Sequence, residues 1–445
     1  MGSVDIALNV IIVGAGFGGL AAAIECRERG MNVVIIERYS DSNSAGDIID
    51  FFPNGGKIVK RWEGGNVGKE LHEIGADKID VMELRKFDGT LISNIPWAIN
   101  QEHRDTTYAG HRGNLHGCFF RCVQRLGATI VLGQSVKEYM EKDDAAGVRL
   151  ADGQEFWGDL VVAADGGRSI ARQQVLGLGD EKEGSGWAIF RTFFDSTEKQ
   201  RSHPDLKEFM RTEKDNVRVW MSDHLSMLAY SWNNAEQVAW VLMHPDDNDI
   251  PESWSLGAAK EDMLPWIKEF TSPEAQALFE ITPVGRTIDF KLVYRPPLEK
   301  WTSKNGRIIL IGDAAHCNLP TAGQGGSQAI EDALTLAYCL QHCNRDVPLA
   351  TEITQRIRYH RSNEVHKSGK LTRDSFHKVS WDEIMQDPKR WGQKRFPHLR
   401  PHDALETVSS QFEVIKQEIE SGKNGSLDEV AMPLPPGGIF MTGDH

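Results

Sequence analysis

Several common sources of function are missing from this 445-residue chain. Six cysteines, Cys26, Cys118, Cys122, Cys317, Cys339 and Cys343, include no C-x-x-C pair. A dithiol redox centre is therefore not expected, and reduced, packed thiols are. Basic residues are outnumbered, 50 Lys and Arg against 64 Asp and Glu, for a net charge of −14. That balance argues against nucleic acid or an anionic membrane as the main partner, because both reward clustered cations. No apolar run reaches 18 residues, so no membrane-spanning helix is expected. The apolar run at residues 6–13 is short and opens into glycines, which reads as a strand rather than a signal peptide. Met1-Gly2-Ser3 invites lipidation, but Ile6 stands where that motif needs Ser or Thr. A soluble, cytoplasmic protein is the expectation. No H-E-x-x-H occurs, and no metal site is expected.

What is present is organised. Val10-Ile11-Ile12-Val13 is a β-branched run suited to a strand buried on both faces. Gly14-x-Gly16-x-x-Gly19 makes a turn, residues 20–29 read as a helix closed by Gly30, and residues 32–36 form the next strand, with Glu37 at its end. Residues 47–56 read as a loop leading into a helix through Trp62. A hairpin is predicted around Asp88-Gly89, a helix over 112–126, a parallel strand over 128–132, a β-meander over 136–156, and a buried strand at 160–164 running into Asp165-Gly166. Residues 180–295 are rich in aromatic, strand-like runs that suggest an antiparallel sheet over a cavity. Ile308–Ile311 returns to the earlier style, and long helices follow over 327–341 and 353–372.

Each glycine of the first motif has its own task. Gly14 permits the tight turn, Gly16 lets backbone approach a pyrophosphate, and Gly19 allows close helix–strand packing. The helix N-terminus offers free N–H groups and a positive dipole end, and Glu37 would accept hydrogen bonds from ribose hydroxyls. A second such segment, Gly312-Asp313-Ala314-Ala315-His316, stands some three hundred residues later. A cofactor gripped from both ends by distant parts of one chain suits long FAD better than a nicotinamide dinucleotide.

Three segments together resemble the single-component FAD-dependent monooxygenases of the salicylate and p-hydroxybenzoate hydroxylase type. They are Gly14-Ala15-Gly16-Phe17-Gly18-Gly19 with Glu37; Asp165-Gly166-Gly167-Arg168-Ser169 with Arg172; and Gly312-Asp313-Ala314-Ala315-His316 continuing through Pro320, Gly323, Gln324, Gly325 and Gly326 to Glu331-Asp332. Arg112-x-x-Leu115 matches the helix that touches the flavin side of the cofactor in that family. The resemblance implies an α/β fold: a Rossmann-like FAD-binding domain (1–175 and 296–345), an inserted antiparallel β-sheet substrate domain (80–110 and 176–295), C-terminal helices (346–422) and a mobile tail (423–445). It implies FAD held by Gly14, Gly16, Gly19, Glu37, Arg38, Arg112, Asp165, Asp313, Pro320, Gly323, Gly325 and Gly326, with NADPH visiting transiently. His316 reads as a structural residue near the pyrophosphate.

The implied reaction delivers one oxygen of O₂ through a flavin C4a-hydroperoxide to an electron-rich ring. Gly46-Asp47-Ile48 through Trp62, with Arg191, also looks like fungal relatives that act on indole alkaloids, where an acid and an arginine guide rearrangement after indole epoxidation. Asp47 and Arg191 are thus the candidate catalytic residues, and an internal salt bridge is their alternative reading. Trp187, Phe194, Trp220, Tyr230, Trp232 and Trp240 are candidates for an aromatic substrate wall. A phenolic-acid hydroxylase and a non-catalytic flavin protein are the alternatives. A halogenase would need W-x-W-x-I-P, which is absent.

Overall fold

The computed structural model describes residues 7–41, 46–247, 250, 253, 256–377, 381–386 and 399–422. Five parallel strands lie in the order Ile308–Leu310, Leu160–Ala163, Asn9–Val13, Asn32–Ile36 and Thr129–Val131. Ile12, Ile35, Val161 and Val162 are almost wholly inaccessible, as a sheet covered on both faces requires. Helix Phe17–Glu28 carries Ala21-Ala22-Ala23, whose small side chains let it lie close against helix Gly325–His342. The expected meander forms three antiparallel strands, Val136–Glu141, Ala146–Leu150 and Glu155–Gly158.

A seven-stranded sheet makes the other half, in the order Ile288–Tyr294, Glu183–Asp195, Gln237–Pro245, Ser226–Trp232, Asp215–Met221, Ile79–Lys86 and Leu91–Pro96. It is antiparallel except where Asp215–Met221 runs parallel to Ile79–Lys86. The period of two sends alternate residues to opposite faces. The outer face, with Phe190, Phe194, Trp220, Met227, Trp240 and Leu242, packs under helices Lys260–Ile267 and Pro273–Ile281, which the sequence reading did not anticipate. Ser272 caps the second of these and Pro273 starts it, a signal that was present but weak inside an aromatic-rich stretch.

Residues 47–56 are not a loop. Ile48–Phe51 is a strand paired antiparallel with Tyr108–His111, and Pro53–Val59 is a helix. Alternation explains the strand: Ile48 packs on the seven-stranded sheet, while Phe51 belongs to the core of the parallel half. This short ribbon is the seam between the halves.

Helices Val347–His377, Trp381–Gln386 and Ala404–Glu420 complete the described chain; residues 423–445, read from sequence as a mobile tail, lie outside it. The long helix is fixed by buried charge. Arg358 binds Asp332 (Nε to Oδ1, 2.8 Å) and Glu331, and Arg361 binds Glu331 (2.6 and 2.7 Å). The paired guanidinium groups hold the Glu331 carboxyl well below the usual range despite full burial. Removing one partner would strand uncompensated charge, a loss of about 3–5 kcal/mol. Five cysteines are buried and Cys317 is partly so, all six as thiols, and burial pushes Cys26, Cys118, Cys122, Cys339 and Cys343 up to about 12.

Candidate active site

The first glycine turn is closed by backbone contact. Gly14 has φ +99°, and a Cβ there would lie 2.4 Å from the Ala164 carbonyl oxygen; a Cβ on Gly19 would lie 1.9 Å from that of Gly14. Around the Cα of Gly16, by contrast, nothing stands within 4 Å of where a Cβ would be, so the turn faces open space. Glu37 accepts the Ala15 N–H at 2.6 Å and the Tyr39 N–H at 2.9 Å, one on each carboxylate oxygen. Each oxygen keeps a lone pair for a further donor. Arg38 is exposed beside Tyr39, with its guanidinium 5.0 Å from that ring.

Asp165 follows strand Leu160–Ala163 and accepts a hydrogen bond from Tyr139 at 3.0 Å, with Ser169 and the Ile170 N–H also against its carboxylate. Burial pushes its carboxyl up. Asp313 begins a helical turn after Gly312. Its side chain is open to the cleft, yet the surrounding protein strips enough water to push its carboxyl above the usual range. His316 is buried, 2.6 Å from Asp332, which also accepts the Gly312 N–H at 2.9 Å. His316 therefore helps brace this turn.

Pro320 is exposed and opens a 3-10 turn ending at Gly323, whose φ is +62°. Gly325 and Gly326 start the 18-residue helix, so their N–H groups lie in its unpaired first turn. The preceding Gln324 is buried and accepts a hydrogen bond from Asn54 at 2.8 Å; Asn54 also reaches Glu331 at 2.6 Å. Phe51 and Phe52 abut this loop, 2.7 and 3.3 Å from where a Cβ would stand on Gly326 and Gly323.

Asp47, Arg112 and Arg191 meet between the halves. Arg191 is 7% exposed, faces inward from strand Glu183–Asp195, and lies 3.7 Å from Asp47. Arg112 begins helix Arg112–Arg125, donates its backbone N–H to the Asp47 carbonyl at 2.8 Å, and stands over Phe17. Desolvation lowers the Arg112 pKa, opposed by Asp47 and Asp313. One arginine thus feels charges from both groups of candidates.

The aromatic wall divides in two. Trp187, Tyr230 and Trp232 sit on the inner face. Phe194, Trp220 and Trp240 sit on the outer face, and Trp240 donates to Thr282 at 2.9 Å, so these three belong to the core under the helices. Sequence reasoning missed Asp50, which points inward from strand Ile48–Phe51 and accepts a hydrogen bond from Tyr230 at 2.8 Å. Trp97 lies against Tyr230, and Arg400 stacks over Phe52 with 3.9 Å to the ring centroid. Carboxylates in a run read as a loop carry no facing, so no sequence signal distinguished Asp50.

The cleft fits an extended anionic dinucleotide. Its open glycine turn and helix N-terminus suit a diphosphate, Glu37 retains acceptor capacity for a ribose, and Asp313 is an exposed carboxyl open to the cleft. Among the described residues no cluster of three His, Cys, Asp or Glu could hold a metal ion, and no helix is long and apolar enough to cross a membrane.

Comparison with known proteins agrees. The family profile described as "FAD binding domain" matches residues 123–346, and a second of the same description matches 9–48. The chain is 34% identical over 421 residues to FAD-dependent monooxygenase notI of Aspergillus sp. (strain MF297-2), covering 93% of this chain and 94% of that protein. It is 31% identical over 445 residues to Notoamide E oxidase notB of the same organism, covering 98% and 95%. The solved structure of CtdE in complex with FAD and substrate 4 superposes with a TM-score of 0.86 at 28% identity, covering 93% of this chain and all of that one.

Proposed function

Since the chain belongs to the FAD-dependent monooxygenases, we propose that it oxygenates an electron-rich indole-type substrate in fungal alkaloid metabolism, using NAD(P)H and O₂. When bound, FAD reduced by the nicotinamide supplies the activated oxygen. The chain's own residues do the rest. Gly14, Gly16 and Gly19 with the following helix hold the diphosphate, Glu37 and Arg38 hold the adenosine end, and Asp165 and Asp313 hold the middle. Arg112 and the turn from Pro320 through Gly323, Gly325 and Gly326 border the flavin ring, and the N–H groups at that helix start favour negative charge there.

The observation that carries this reading is the Asp47–Arg191 pair at 3.7 Å, beside Arg112, where the inner sheet face meets the dinucleotide cleft. Arg191 donates a hydrogen bond to the oxygen that gains negative charge as the ring is oxygenated. Asp47 moves the proton in the rearrangement that follows. The pairing also weighs against a simple phenolic acid as substrate. Arg191 already faces one carboxylate, and a second anion would crowd Asp47.

Turnover under ¹⁸O₂ with a panel of phenols and tryptophan-derived alkaloids, read by mass spectrometry, tests the assignment. One labelled oxygen in an indole product is expected. Labelling confined to phenolic acids would replace this reading with the hydroxylase one, and substrate-independent NAD(P)H oxidation would refute both.

A further inference from the structure

Asp47 and Arg191 occupy one end of the strand at the seam. The other end carries a second polar group that the reaction above does not use. Asp50 lies three residues beyond Asp47, about 10 Å along an extended chain. Its Oδ2 accepts the Tyr230 hydroxyl at 2.8 Å, and its Oδ1 is buried with no hydrogen-bond partner. The next two residues, Phe51 and Phe52, touch the glycine loop at Gly326 and Gly323, so Asp50 stands where that loop meets the inner sheet face. Trp97 supplies an aromatic surface beside Tyr230, its ring centroid 6.3 Å away. Arg400 is brought to the same place because Arg361 holds the Leu399 carbonyl at 2.8 Å.

A buried carboxylate oxygen without a hydrogen-bond partner costs free energy unless a donor meets it. We propose that Asp50 is a substrate-recognition residue: its Oδ1 accepts a hydrogen bond from the ring N–H of a flat heteroaromatic substrate packed against Trp97 and Tyr230. Tyr230 fixes the carboxylate's orientation, and Arg400 keeps it anionic. The inference rests on the indole reading above. Its consequence is chemical as well as steric. As oxygen adds to the carbon–carbon double bond of the five-membered ring, positive charge develops on the ring nitrogen. A carboxylate on that N–H then binds the transition state more tightly than the ground state. Burial pushes the Asp50 carboxyl up to about 6, opposed by the Tyr230 hydrogen bond and the Arg400 charge, so it is ionised above that pH. His103 also feels the Arg400 charge, together with Lys57 and Glu102.

The test pairs 3-methylindole with 1,3-dimethylindole, which lacks the N–H. Kd is read on the FAD-loaded enzyme from perturbation of flavin absorbance, and kcat/KM from product formation. The wild-type enzyme should prefer the N–H probe by about 10- to 100-fold, and the preference should fade below about pH 6. Asp50→Asn should cut it to a few-fold, and Asp50→Leu should bring it to about one, with FAD content unchanged. Should the Asp50 variants not fold, Tyr230→Phe decides: a drop of about 3-fold or more supports the inference. Equal affinity for both probes in the wild type, no saturable binding of either, or a preference untouched by the variants that fold would overturn it. The two readings fail separately. Labelled oxygen in product with an unaltered preference overturns only the Asp50 role, whereas a preference that collapses in Asp50→Asn without labelled product overturns only the monooxygenase assignment.

Discussion

In the parallel-sheet half, much of what faces the cleft is backbone: the turn at Gly14–Gly19, the helix start at Gly325 and the carbonyls packed behind them. In the seven-stranded half the polar groups are side chains, Arg191 and Tyr230, set on a sheet whose two faces are both buried. Backbone recognition demands glycine at fixed spacing, so it leaves a pattern in the sequence. Side-chain recognition demands only that a residue fall on the correct face, which a sequence does not mark when both faces are apolar.

The comparison can be broken most forcefully at Gly19. Gly19→Val should prevent FAD loading and lower stability by about 4 kcal/mol or more, because its side chain meets the Gly14 carbonyl oxygen; flavin absorbance and a thermal melt report both. Glu331→Ala should cost about 3–5 kcal/mol in denaturant unfolding by leaving Arg361 without its carboxylate and Arg358 with Asp332 alone. Arg191→Ala and Asp47→Ala should keep FAD but reduce product formation by about 100-fold or redirect the product. Unchanged turnover and product in both would return that pair to a structural role. Trp240→Phe sharpens the distinction between sheet faces. It should cost about 1 kcal/mol through the lost Thr282 hydrogen bond while leaving substrate Kd unchanged.

The smallest effect is a pH dependence from one buried histidine and one mostly buried one. Burial lowers His366 and His402 to about 4 from an ordinary 6.5. The unfolded chain therefore binds more protons than the folded one between those values, and stability falls as pH drops through that window. From about pH 7 to about pH 6 the loss should be roughly half a kcal/mol for each histidine. His402→Gln should flatten the slope in chemical denaturation.

The sequence was legible where local rules and global needs coincide. The β-branched run at Val10–Val13, the glycine turn and the Asp165 and Asp313 segments each announce themselves through backbone constraint, and the α/β architecture follows from them. The helices at Lys260–Ile267 and Pro273–Ile281 were hidden because the aromatic texture around them suggested strand. Residues 47–56 were misread because Pro53 and two glycines suggest a loop, whereas Ile48-Ile49-Asp50-Phe51 has a period of two that only burial on both sides makes visible. The six aromatic candidates divide between the two sheet faces for the same reason. Trp187 and Trp240 look alike in sequence, and only strand register decides which one lies on the inner face.

The seam strand is four residues long and has two neighbours of opposite character. Its odd and even positions are addressed to different halves of the molecule: Phe51 to the glycine loop, Asp50 to the inner sheet face. Inserting or deleting one residue between Gly46 and Phe52 would swap those addresses. The carboxylate would turn toward the loop and the phenyl ring toward the sheet. Both halves would then receive the wrong side chain at once, with no atom of either half altered. Counting parity in this segment is therefore a quick way to ask whether another chain of this fold keeps the same arrangement.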